Sequence, residues 1–173
     1  MTIAPCQTDD LSQIQSLYHD ARQLQAHKQM VVWPEFSESF LLNEIAAGLQ
    51  WKIAMQANSI VCNWAVALSD PDIWGSEDAD NSVYLHRICV RRDHRGYRFM
   101  ETIVDWAVAF ARANDRIFVR LDTLGNNTNL IRHYTSVGFE FLGMERLLDT
   151  QNLPRHYQDE PNCCRFQLEV PKT

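Results

Sequence analysis

The sequence has no uninterrupted apolar run of about 18 residues, the length a membrane-spanning helix needs, so no span is expected. Its first residues, Met1-Thr2-Ile3-Ala4-Pro5, bring neither a basic flank nor an apolar core, which argues against a secretory leader. Repeats, low-complexity tracts and linker-like stretches are missing. So is any excess of positive charge: the formal net charge is −6, which disfavours general nucleic-acid binding, because that needs a basic face. The cysteines lack metal-ligand spacing. Cys6, Cys62, Cys89, Cys163 and Cys164 are an odd set with no CxxC. They read as reduced thiols, mostly packed in strands, in a cytoplasmic protein. Nothing in the sequence asks for a metal.

What is present is a chain of 173 residues, 46% apolar, with mixed charge. That suits one soluble globular domain over residues 1–173. Ile3 to Cys6 reads as a first strand. Leu11, Ile14, Leu17, Tyr18 and Ala21 recur at three- and four-residue spacing, an amphipathic helix with Thr8 or Asp9 as its cap. A polar stretch from Gln25 to Met30 and an apolar one around Trp33-Pro34-Glu35-Phe36 follow. A second helix is capped near Ser37 and ends near Gly48. Trp51 to Ala57 and Ile60 to Ser69 form a hairpin. Asp70 to Asp80 reads as an acidic, solvated loop, with attraction of a cationic substrate as the sharper alternative. It is not an EF-hand, because Trp74 and Asn81 stand where ligands are required.

The chain is organised around Tyr84 to Gly143. A strand from Tyr84 to Val90 meets a basic turn from Arg91 to Arg98, then an amphipathic helix from Phe99 to Ala113 whose apolar face is Phe99, Ile103, Trp106, Ala107 and Phe110. A strand from Arg116 to Asp122 follows, then a short helix carrying Tyr134, and Val137-Gly138-Phe139. Beyond it lie a strand from Glu140 to Leu147, a long loop from Leu148 to Pro161 and a last strand from Arg165 to Val170. Arg91, Arg92, Arg95 and Arg98 place four of sixteen Lys and Arg residues within eight positions. On an acidic body such a patch suits a phosphorylated cofactor better than a polymer.

This stretch resembles the GNAT superfamily of acyl-CoA-dependent N-acyltransferases. The resemblance rests on Ile88-Cys89-Val90, Arg95-Gly96 opening a helix, Arg120-Leu121-Asp122-Thr123, Asn127 seven residues before Tyr134, and Gly138-Phe139. It implies an α+β fold layered α/β/α, with a mixed, mostly antiparallel sheet flanked by helices. The predicted order β-α-α-β-β-β-α-β-α-β-β agrees. It also implies acetyl-CoA as cosubstrate, with no metal. Ile88, Cys89 and Val90 would pair through their backbone with the pantetheine arm, and Asn127 would touch the same region. Each also has a plain reading, as an ordinary buried strand and as a helix cap.

Diphosphate recognition needs converging backbone N–H groups and positive charge, which a helix N-terminus supplies. The turn Arg95-Gly96-Tyr97-Arg98-Phe99-Met100 sits at such a terminus. The superfamily usually carries small residues where this chain has Arg98 and Met100. Backbone donors do not depend on side-chain identity, and Arg98 adds a guanidinium suited to phosphate. Amide formation poses two proton problems: the amine must become neutral and the departing thiolate must be protonated. A phenol with a pKa near about 10 can donate to such a thiolate, and Tyr134 matches the superfamily's tyrosine for this role. An imidazole with an ordinary pKa near about 6.5 can accept the amine's proton, and His86 matches the strand position of a histidine base in the arylalkylamine branch. Trp33, Glu35, His156 and Tyr157 are acceptor-side candidates. Asp122 reads as a strand end that caps a turn. Cys89, mid-strand, has no evident base and is not expected to be a nucleophile.

The reading is an N-acetyltransferase for a primary amine on a small-molecule acceptor, working without a covalent enzyme intermediate. Its rival is a GNAT-fold coenzyme-binding or regulatory module without catalysis. The oligomeric state is left open, a homodimer included.

Overall fold

The computed structural model describes Met1–Lys172. Seven strands, β1 (Thr2–Pro5), β2 (Gln50–Ala54), β3 (Ile60–Ala67), β4 (Ser82–Val90), β5 (Phe118–Leu124), β6 (Glu140–Arg146) and β7 (Asn162–Glu169), form one sheet. Their order is β1-β2-β3-β4-β5-β7-β6. The helices are α1 (Leu11–His27), α2 (Glu38–Ala46), α3 (Pro71–Trp74), α4 (Phe99–Ala113), α5 (Thr128–Ser136) and α6 (Arg155–Asp159). The fold class is therefore the expected one: α+β, a mixed and mostly antiparallel sheet flanked by helices. Two compact units make up the chain. The first holds Met1–Val66 and His86–Tyr97; the second holds Ala67–Leu85 and everything from Arg98 on.

In the first unit, β1 and β2 pair antiparallel, as do β2 and β3. Ile14, Leu17 and Tyr18 of α1 are buried with Leu41 and Ile45 of α2, Ile60 of β3 and Cys89 of β4. Each such side chain contributes roughly 1.5–3 kcal/mol of burial. A 3-10 turn, Thr8–Asp10, leads into α1. The residue that precedes α1 is Asp10 rather than the expected Thr8 or Asp9, and its carboxylate accepts from the Gln7 amide at 2.7 Å, closing a capping box around the 3-10 turn. Asp10 is drawn inward because it also holds the buried Lys52 ammonium at 2.6 Å. The second helix begins as expected, with the Ser37 hydroxyl accepting from the Phe40 amide at 3.2 Å.

In the second unit, Ser82–Leu85 of β4 runs parallel to Phe118–Leu121 of β5. β5 and β6 both pair antiparallel with β7. The buried stripe of α4 is Phe99, Met100, Ile103, Val104, Ala107 and Ala111. Trp106 and Phe110, expected on that face, stack on each other at 5.0 Å and stay half-exposed. The helix is wound so that Met100, Val104 and Ala111 point inward instead.

The acidic stretch departs from expectation. It is folded into α3 and a 3-10 turn, Gly75–Asp80, rather than left as an irregular loop, although its acidic residues stay exposed or half-exposed, as expected. Buried Arg120 fastens it: one guanidinium nitrogen donates to the Glu77 carbonyl at 2.6 Å and another to Asp80 at 2.9 Å. Arg120 also donates to Gln167 at 2.7 Å and lies 4.6 Å from the Trp74 ring centroid. Arg165 holds Glu77 at 3.1 Å. Asp78 accepts from the Asp70 amide at 2.6 Å. Much of the acidity is thus committed within the molecule, which weakens the case for a loop that gathers cations.

The last loop is also partly ordered, since α6 lies inside it.

Candidate active site

The strand carrying His86, Ile88, Cys89 and Val90 is not uniformly extended. Arg87 has φ 51°, left-handed backbone that costs a non-glycine residue on the order of 1–3 kcal/mol. Beyond the strand, the Arg91 amide donates to Val61 at 2.8 Å. Its guanidinium donates to Ser59 at 2.6 Å and to Asp93 at 3.1 Å. Arg91 is thereby spent on holding the turn. Arg92 and Arg95 are exposed. Gly96 has φ 93°, and a Cβ there would meet nothing within 4 Å. Glycine is required by the backbone conformation, not by space. Tyr97 is exposed and its ring lies 5.5 Å from that of His94.

In the second unit, Arg98 stands just before α4 and pairs with Glu101 in the first helical turn. No side chain caps this terminus, so its first amides are not taken up by a capping side chain. The two departures from the superfamily's small residues behave differently. Met100 is buried in the core of the unit. Arg98 extends outward, with its charge shared with Glu101.

Asn127 caps α5: its side-chain oxygen accepts from the amides of Asn129 and Leu130, both at 3.1 Å. Tyr134, on the same helix, is half-exposed. Its ring packs against Phe166 at 5.2 Å and edge-on against Phe139 at 6.1 Å. Those contacts hold the ring in place.

His86 keeps part of its surface open, yet burial pushes its pKa down to about 4, with the Arg87 charge adding to the effect. The imidazole is therefore neutral at pH 7, and a weaker base than an ordinary histidine. Cys89 is buried and its thiol is pushed well above the usual range by burial, next by Cys62, so it remains a protonated hydrophobe.

Sequence reasoning missed a carboxylate centre in the second unit. Asp122 is not a strand end; it lies within β5, on the strand face that carries Arg120. The Tyr157 hydroxyl donates to its Oδ2 at 3.0 Å and the Cys163 thiol approaches the same oxygen at 3.6 Å. An Asp70 oxygen lies within 4.8 Å of an Asp122 oxygen. Burial, then the charges of Asp122, Asp78 and Asp72, raise Asp70 to about 8. Burial raises Asp122 as well, against the hydrogen bonds from Tyr157 and Cys163. Both residues are half-buried. The structure thus joins Tyr157 to this carboxyl pair, while the His156 ring lies tilted beside that of Tyr157, with 4.5 Å between centroids. The one signal available beforehand was Tyr157 among the acceptor-side residues; its partner lies 35 residues earlier.

Glu35, in the first unit, is exposed and lines a cavity of about 460 Å³ with Tyr18, His19, Arg22 and Phe36. Trp33 sits close by, its amide donating to Gln25 and its carbonyl accepting from Arg22, both at 3.0 Å.

The acetyltransferase (GNAT) family model matches residues 43–139, more than half of the sequence. The chain belongs to this family. The matched residues include the turn, β4, α4 and Tyr134. Among curated relatives, an uncharacterized N-acetyltransferase, YesJ of Bacillus subtilis (strain 168), is 29% identical over 76 residues. That match covers 44% of this chain and only 42% of the relative's length. Among solved structures, a GNAT-family acetyltransferase from Listeria monocytogenes superposes with TM-score 0.78 at 20% identity, covering 98% of this chain and 94% of that one. The putative acetyltransferase YncA of Salmonella typhimurium, solved with acetyl-CoA, gives TM-score 0.71 at 14% identity, covering 100% and 95%. At those identities the structural likeness establishes the fold.

Proposed function

We propose that this GNAT-family chain transfers an acetyl group from acetyl-CoA directly to the primary amine of a small molecule. The observation that carries the reading is the start of α4. A glycine at φ 93° precedes a helix terminus without a side-chain cap, and Met100 is turned away from it. Converging amides and the helix dipole favour a diphosphate there. Arg95 and Arg98 add charge, and Gly96, Tyr97 and Phe99 contribute backbone. The family resemblance assigns the backbone of Ile88, Cys89 and Val90 to the pantetheine arm and gives Asn127 a contact with it.

The acceptor nitrogen, arriving as an ammonium, gives up two protons. We assign the first to Asp122, which passes it to solvent. A carboxylate whose pKa is raised by burial is a better base near neutral pH than an ordinary one. His86, neutral at pH 7, relays protons through water rather than storing them. The free amine attacks the thioester carbonyl, the carbon–sulfur bond breaks, and Tyr134 protonates the thiolate. Tyr134 regains its proton from the pool that the nitrogen's second proton enters. Trp33 and Glu35 in the first unit, and His156 and Tyr157 in the second, remain the acceptor-side candidates.

Calorimetry with acetyl-CoA and thiol release across an amine panel test this reading. Tyr134→Phe should lower kcat by about 10²–10⁴-fold with coenzyme affinity near normal. Coenzyme binding without thiol release from any amine would favour the non-catalytic module instead.

A further inference from the structure

Within the first unit, one side chain touches both the segment we assign to the acceptor and the strand we assign to the coenzyme. Arg87 belongs to β4, one residue before Ile88, and its backbone is left-handed at φ 51°. Such a backbone persists only where the surrounding structure holds it. The guanidinium pairs with Glu44 of α2 at 2.5 Å and donates to the Tyr18 hydroxyl of α1 at 3.4 Å. It also lies 5.2 Å from the ring centroid of Phe36 and 5.3 Å from that of Phe40, which themselves stack at 5.7 Å. The anchors are fastened in turn. Gln50 donates to Glu44 at 2.7 Å and to Tyr18 at 3.1 Å, and Asn63 donates to Gln50 at 2.8 Å. Two members of this clamp, Tyr18 and Phe36, also line the cavity that Glu35 borders. A ligand that moves or orders Phe36 therefore acts on the guanidinium. The guanidinium is covalently one residue from the backbone of Ile88.

We propose that Arg87 is a positioning residue that couples the Trp33–Phe40 segment to the backbone of Ile88–Val90, so that acceptor and coenzyme affinities are linked. The assignment of the two ends rests on the acetyl-transfer reading; the mechanical link does not. Coupling of this kind is reciprocal, since each ligand changes the other's affinity by the same factor.

Two mild variants test it. Glu44→Gln removes the ion pair while keeping the shape. Phe40→Ala removes one aromatic face at a position that is 39% exposed, where truncation leaves the core intact. Amide hydrogen exchange is read at Ile88, Cys89 and Val90, with Ile3 and Ile53 in the β1–β2 pair as internal controls. We expect exchange at the three β4 amides to rise by about tenfold in Glu44→Gln, less in Phe40→Ala, with the controls unchanged. Unchanged β4 exchange, or equal acceleration at the controls, overturns the proposal. Calorimetry with acetyl-CoA then separates the two readings. Wild-type binding that weakens about tenfold in Glu44→Gln supports both. Equal binding by wild type and variant removes the coupling alone. If the wild type does not bind, the acetyl-transfer reading falls and hydrogen exchange decides the fate of the link.

Discussion

Burial moves two titratable side chains in opposite directions, and the consequence is a stability that depends on pH in a defined way. Asp70 rises from an ordinary carboxyl to about 8, and His86 falls to about 4. Between about 4 and 6.5 the folded Asp70 binds more protons than the unfolded chain, while the folded His86 binds fewer, so their effects oppose. Above about 6.5 only the aspartate still differs, and stability falls as pH rises toward 8. Thermal melts should therefore show a falling Tm from pH 6.5 to 8, and Asp70→Asn should flatten that limb. A limb that persists in Asp70→Asn would place its origin elsewhere. Asp122→Asn addresses the chemistry: kcat should fall at least about 100-fold, because a carboxamide cannot accept the proton. The steady-state pH–rate profile checks it, and an intact profile would return the role to His86. Neither carboxyl was legible in the sequence as a proton-binding group. Asp122 read as the end of a strand, capping the turn after it, whereas β5 runs on to Leu124. Asp70 looked like the edge of a loop. What makes them a pair is proximity across 52 residues of sequence, with Tyr157 arriving from a third segment.

The elements themselves were more readable. The span of α4 agrees with expectation because its apolar spacing is strong and Gly96 stops anything from extending it backwards. α5 starts where Asn127 said it should, because an Asn cap acts within three residues. The segment from Asp70 to Asp80 was misread for the opposite reason. Its partners, Arg120 and Arg165, lie on β5 and β7, far outside any local window. Arg120 is the residue on which that segment depends. Arg120→Met would strip the Glu77 carbonyl, Asp80 and Gln167 of their donor. It should cost about 3 kcal/mol in urea unfolding, with faster amide exchange over Gly75–Asp80. A loss below about 0.5 kcal/mol would show that the 3-10 turn holds itself.

At the scale of the whole molecule, five cysteines are free and buried, which accords with their reading as small apolar residues. Among the described residues no helix is long and apolar enough to cross a membrane. A coenzyme that binds only the folded chain adds to its stability by mass action, about 2.7 kcal/mol at one hundred times Kd. Acetyl-CoA titrated during thermal unfolding should raise Tm progressively, and coenzyme lacking the 3′-phosphate or the diphosphate should do so less. A flat response would remove the phosphate turn from the account.

By itself the sequence determined the order of the strands and of the four longer helices, the family, and the backbone features of the turn, because hydrophobic period, caps and glycine act over a few residues. Tertiary structure decided which charges are spent and which are left. It paired Arg91 with Ser59 and Arg120 with the acidic turn, and it joined Tyr157 to Asp122. It also set the protonation of His86 and Asp70. Those outcomes depend on desolvation and on distances between remote segments, and no local pattern of residues carries either.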